Sequence, residues 1–186
     1  ELNATVTALD ALGFCIKMHA VGDNAVRKGL DAIAAARTAN GTGGPRHEIA
    51  HSTFVDDADL PRFAALGAVA EVSPKLWMPN SGTAAQRAVL GEERLEQVHR
   101  IKTLLGAGAE VIFGTDWPAA APDANPWTGL AGMISRTDPT GRYPGAVAPG
   151  EAISLEAALP LFTVNGARAM GLAGQIGVLA PGAWAD

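Results

Sequence analysis

Hydrophobic and polar positions trade places along this chain with two rhythms. Four short runs are dense in apolar residues or alternate by twos: 13–20 (GFCIKMHA), 48–51 (EIAH), 68–73 (AVAEVS) and 110–115 (EVIFGT). These are the strand candidates. Between them the apolar positions recur at helical spacing. Residues 24–39 carry a stripe at Val26, Leu30, Ile33 and Ala34, and 92–105 carry Leu95, Val98, Ile101, Leu104 and Leu105 on one face. Helices are also predicted over 1–12, 57–66 and 127–136, and another begins after Ser154, an N-cap with Glu156 and Ala157 in its first turn. The stretch with Pro74, Pro79, Asn80 and Gly82, and the Gly/Pro-rich run up to Gly150, read as loops.

Strands that alternate with helices imply βα units and a parallel sheet. Two architectures compete, a doubly wound open sheet and part of a (β/α)8 barrel. No strand is followed by GxGxxG or GxxxxGK[ST], so the phosphate-binding version of the open sheet lacks its signature. His19, His51, Ser73 and Asp116 each fall at the C-terminal end of a strand candidate, the end where barrel enzymes keep their chemistry. Four strands make half a barrel, which leaves two unpaired edges, so the expectation is a piece of a longer protein or assembly with a second copy. Both ends of the sequence read as cut.

Composition narrows the partners. The 186 residues are 48% hydrophobic and 18% charged, enough for a sizeable core, and 22 Gly with 12 Pro fit many short turns. A net charge of -5 with no basic tract argues against nucleic acid. No apolar run reaches the roughly 18 residues of a membrane span. The single cysteine, Cys15, forms no internal disulfide and favours a reducing, cytoplasmic setting.

In the first strand, alternation puts Phe14, Ile16 and Met18 on one face and Cys15, Lys17 and His19 on the other. The apolar face suits helices, which leaves Lys17 and His19 pointing inward or at the mouth. A buried lysine needs a partner. His19 opens HAVGD, where Asp23 either caps the next helix or orients His19. His51 lies in EIAHSTF with His47 on the same face but deeper, and His99 sits in the helix as a surface or packing residue. Asp116 follows an apolar strand and precedes Trp117-Pro118. Each has an ordinary structural reading, a strand-end histidine or a capping aspartate. Together, two imidazoles and a carboxylate on successive strand ends suit a divalent metal such as zinc and a proton acceptor for its water.

HAVGD, EIAHSTF and GTDWP, in that order, resemble the amidohydrolase superfamily. RFAALGAVAEVSP, SLEAALPLFTVNGARAMG and the closing GQIGVLAPGAWAD extend the likeness over nearly the whole chain, toward the branch that includes N-substituted formamide deformylases (amidohydrolase family 3). The resemblance implies barrel strands five to eight over 1–173, with 174–186 starting a return to a flanking β-sandwich. It implies His19 and His51 as ligands of an exposed metal. Asp116 would be a ligand of a buried metal and the general acid/base in hydrolysis of amide or formamide C–N bonds. One or two divalent ions, zinc first, are the implied cofactor, and a small amide-type molecule the substrate. An HxH pair and a bridging residue of such enzymes would precede Glu1, so the fragment alone is expected to be inactive. The alternative is a degenerate homologue without a complete metal centre. Lys75, Trp77 and Trp117 would border the substrate pocket. Glu71 departs from the small polar residue usual at its position; since strands five and seven share interior layers, it is expected to pair with Lys17.

Overall fold

The computed structural model describes residues 1–73, 78–118 and 124–184. Its sheet contains β1 (Lys17–Ala20), β2 (Glu48–His51), β3 (Val69–Val72) and β4 (Glu110–Phe113), in that spatial order. β1 pairs in parallel with β2, and β2 with β3. All four strand candidates therefore form strands, and their order along the sheet follows the chain. The first is shorter than its sequence pattern: Phe14 lies outside the strand and is 58% exposed, so it does not pack with Ile16 and Met18. The helices are α1 (Leu2–Ala11), α2 (Asp23–Asn40), α3 (Leu60–Leu66), α4 (Thr83–Leu90), α5 (Glu92–Leu95), α6 (Ile101–Gly106), α7 (Pro126–Ser135), α8 (Leu155–Phe162) and α9 (Val164–Ala169).

The chain divides into two compact units. The first is Glu1–Val72 with Thr103–Val111. Its core forms where α2 lies on the sheet: Val26, Leu30 and Ile33 are fully buried, as their spacing predicts, while Ala32 and Ala36 replace Ala34 on the deepest stripe. Those two alanines pack with Val6 of α1, and Ile16 and Met18 complete the cluster. Gly29 sets how closely α2 approaches, because a β-carbon there would stand 2.6 Å from Cδ1 of Ile49.

The second unit is Ser73–Lys102 with Ile112–Asp186. Asn125 caps α7 by accepting from the Trp127 amide at 3.0 Å, with Pro126 in the first turn, and Ser154 caps α8 from the Ala157 amide at 3.3 Å. The predicted helix over 92–105 is broken between Leu95 and Ile101, where His99 is left-handed at φ 49°. His99 is therefore neither helical nor on the surface; it is buried at the break. Leu95, Val98 and Ile101 are still buried, so the apolar spacing survives the interruption. Two carbonyls at the break face a fully buried guanidinium, and His99 O also accepts from the Ile101 amide at 2.8 Å. Arg136 Nη2 donates to Val98 O at 3.1 Å, Nη1 to His99 O at 3.2 Å and Nε to Val147 O at 2.8 Å. Phe113 stacks on Phe162 with ring centroids 4.0 Å apart.

Candidate functional site

Strand register places Ala20 of β1 beside His51 of β2, and His19 beside Ala50. Plain alternation would therefore send the His51 ring to the side of Ile49, against α2. The backbone prevents this. His51 and Ser52 are both left-handed, at φ 68° and 43°, a conformation that side-chain-bearing residues adopt only when their surroundings enforce it. The Ser52 hydroxyl closes the turn by donating to Ile49 O at 3.0 Å. The His51 ring then meets His19, with Nε2 at 2.9 Å from Nδ1 and the rings edge to face at 73°. His51 is buried and His19 exposed, so the pair sits at a margin with one side open.

Two nitrogens that face each other at this distance share one hydrogen, one donating and the other accepting. Their separation is also near that of two imidazoles sharing one ion. Imidazoles bound to one zinc at about 2.0–2.1 Å place their nitrogens roughly 3.3 Å apart at the tetrahedral angle, close to the 2.9 Å found here. The donor set fits a borderline divalent ion.

Beside the histidines runs a charged row on the face of the sheet away from α2. Lys17 Nζ lies 3.5 Å from Glu48 Oε2 and 3.6 Å from Glu71 Oε2. The pairing of Lys17 with Glu71 expected from the sequence is present, although the lysine side chain remains about half exposed while Glu71 is buried. The same Glu71 oxygen accepts from the His51 backbone N–H at 3.2 Å.

His47 does not share the face of His51, contrary to the alternation argument, because the left-handed turn at His51 breaks the alternation between them. Its Nδ1 accepts from the Ile16 amide at 3.3 Å, which leaves Nε2–H to donate to Asp10 Oδ1 at 2.8 Å. Asp10 of α1 also accepts from Arg37 Nη1 at 2.8 Å and from Asn40 Nδ2 at 2.8 Å. Desolvation pushes the Asp10 carboxyl up, but the hydrogen bonds from Asn40 and His47 and the Arg37 charge outweigh it and hold the group below its ordinary value. This buried network is structural, and sequence reasoning missed it. Its signal was an aspartate four residues after Val6, on the same face of the first helix.

Asp23 is the first residue of α2, with Gly22 in the N-cap position; its Oδ1 accepts from the Asn24 amide at 2.9 Å. It thus places charge in the first turn, where the helix dipole favours it, and does not occupy the cap itself. Asp116 lies in the second unit, half-buried just beyond the end of β4, with a left-handed backbone at φ 52°. The next amide, of Trp117, donates to Thr115 Oγ1 at 3.2 Å, and the Trp117 ring is 56% exposed. Ser73 follows β3 and is buried. Lys75 and Trp77 lie outside the described residues. Among the described residues no group of three or more His, Cys, Asp or Glu side chains is arranged to hold a metal, so the structure brings together two of the expected ligands, His19 and His51.

Protein LONG AFTER FAR-RED 3 of Arabidopsis thaliana is 32% identical over 187 residues, covering all of this chain and 31% of the plant protein. Crystal structures of uncharacterized metal-dependent hydrolases from Pyrococcus furiosus and Pyrococcus horikoshii are each 29% identical with a TM-score of 0.76. They match 100% of this chain, against 35% and 36% of their own. The chain thus spans about a third of the length of these relatives. The family model described as the amidohydrolase family matches residues 1–186, and the chain belongs to that family.

Proposed function

We propose that this chain is part of a metal-dependent hydrolase that cleaves amide-type C–N bonds other than peptide bonds. The observation that carries the reading is the His19–His51 pair, two ring nitrogens 2.9 Å apart at the ends of adjacent parallel strands. Family membership and the Pyrococcus metal-dependent hydrolases support the reaction class. The order HAVGD, EIAHSTF, GTDWP supports the branch resembling N-substituted formamide deformylases. In this reading the four strands are strands five to eight of an eight-stranded barrel, and residues 174–186 lead back to a β-sandwich.

His19 and His51 would hold a divalent ion, zinc being the one best suited to neutral imidazole. When bound, such an ion supplies Lewis-acid chemistry, polarising a carbonyl and making water a competent nucleophile near neutral pH. The protein's own share is to fix two imidazoles at one point and to remove a proton. Asp116 is assigned the proton, on its place after β4 and its match to the family's strand-eight aspartate. Trp117, exposed beside it, is assigned to the substrate, as are Lys75 and Trp77. The small-molecule substrate is the only partner the reading requires; a homo-oligomer is compatible with it. Among the described residues no helix is long and apolar enough to cross a membrane.

Metal content and turnover on a panel of N-substituted formamides and amides test the reading, for the wild-type protein, His51→Ala and Asp116→Asn. His51→Ala is expected to lose metal and turnover together. Asp116→Asn is expected to lose about 10²–10⁴ in turnover, the range of a lost general base. Unchanged turnover in Asp116→Asn removes the assigned base, and metal content that ignores His51 removes the site.

A further inference from the structure

The His51 backbone is held in an unfavourable conformation, and Glu71 stands at the atom that holds it. The β2–β3 ladder pairs Glu48 with Val69 and Ile49 with Ala70, two residues short of His51. At His51 the chain has turned left-handed and its N–H needs another acceptor, since a buried amide without one costs about 1–3 kcal/mol. Glu71 Oε2 provides it at 3.2 Å. The carboxylate is itself buried, and Lys17 Nζ at 3.6 Å supplies its countercharge. Lys17 is anchored in turn by Glu48 at 3.5 Å. Lys17 is two residues before His19 on the same strand, so both members of the histidine pair are tied to this one carboxylate, His51 through its amide and β1 through Lys17.

We propose that Glu71 is a positioning residue for the candidate metal ligands. Its carboxylate fixes the left-handed turn that swings the His51 ring away from α2 and brings Nε2 to His19. The inference rests on the metal-ligand reading of His19 and His51. It makes a prediction that a purely structural carboxylate would not: removing the acceptor weakens metal binding without unfolding the sheet.

The test is calorimetric titration of Zn²⁺ into the wild-type protein, His51→Ala, Glu71→Met and Glu71→Gln, with circular dichroism to follow the fold. Methionine keeps most of the volume and lacks the acceptor; glutamine restores an acceptor oxygen without the charge. Glu71→Met is expected to bind Zn²⁺ about 10–100-fold more weakly, the usual cost of losing a group that orients a ligand. Glu71→Gln is expected to recover most of that loss. If His51→Ala lowers affinity while Glu71→Met binds like wild type, the positioning role falls and the metal reading stands. If Glu71→Gln is as weak as Glu71→Met, the hydrogen bond is not the agent and the proposal fails. If His51→Ala leaves Zn²⁺ binding unchanged, the metal reading fails. Should Glu71→Met not fold, amide exchange in the wild-type protein decides: the His51 amide should exchange as slowly as Ile49 and Ala50, and exchange at the rate of an open loop overturns the proposal.

Discussion

Replacing Arg136 by methionine should loosen the second unit, and the size of the effect follows from its three acceptors. Val98, His99 and Val147 each receive one guanidinium N–H, and the side chain has no exposure to water. A buried carbonyl that loses its only donor costs about 1–3 kcal/mol; His99 O keeps the Ile101 amide at 2.8 Å, so the other two together cost roughly 2–6. Against this stands the relief of a buried charge. Desolvation lowers the guanidinium from 12.5 to about 10, with Glu151 and Glu96 working the other way, and that fall corresponds to about 3 kcal/mol. The expected net loss is about 1 kcal/mol, which shifts a urea midpoint by about 0.5 M for a slope near 2 kcal/mol/M. Trp117, Trp127 and Trp184 lie in this unit, so tryptophan fluorescence reports its unfolding selectively. Arg136→Lys separates charge from geometry. It retains the attraction to Glu151 and Glu96 but cannot reach three divergent carbonyls from one nitrogen. Both variants should lose stability; an Arg136→Lys midpoint equal to wild type would refute the argument.

Two further predictions concern the first unit. Gly29→Ala gains about 1 kcal/mol of helix propensity but sets a methyl 2.6 Å from Ile49 Cδ1, an overpacking worth about 1–3 kcal/mol. The single variant should be destabilised, and adding Ile49→Val, which removes that methyl, should recover the propensity gain; additive effects in the double-mutant cycle would disprove the clash. The Asp10 carboxyl is held below 3.8 in the folded state, so its contribution is complete above that value and is lost as pH falls through the lower folded value. Stability measured from pH 5 to 2 should therefore fall more steeply for the wild type than for Asp10→Asn, and parallel curves would show that the carboxylate is not selectively stabilised.

The sheet was readable because its strands obey period two and its helices period three to four. Strand Glu48–His51 appears with the bounds its sequence suggests, and α2 departs by one residue at each end. Two helical features were not readable, for different reasons. In α4 only Thr83 is buried, so no apolar stripe announces the helix. Between α5 and α6 the stripe is continuous while the backbone is not, because periodicity records which residues face the core and is silent on a single left-handed residue. At the site, the same limit separates residue from geometry. Strand position and motif order pointed to His19 and His51, and Glu71 could be paired with Lys17 from strand alternation. The turn at His51–Ser52 could not be foreseen, and it determines which way the imidazole faces. The partnership of His47 with Asp10 was equally hidden, since 37 residues separate them.

That separation has a kinetic consequence. Asp10 gathers Arg37, Asn40 and His47 from 27, 30 and 37 residues away, and it can do so only when α1, α2 and β2 are already in place. Such bonds are absent from a transition state built on local contacts, so their energy acts on the barrier to leaving the native state. Weakening the network should therefore shorten the lifetime of the folded first unit while leaving its refolding rate nearly unchanged. The carboxylate of the first helix works as a latch that closes last and has to open first.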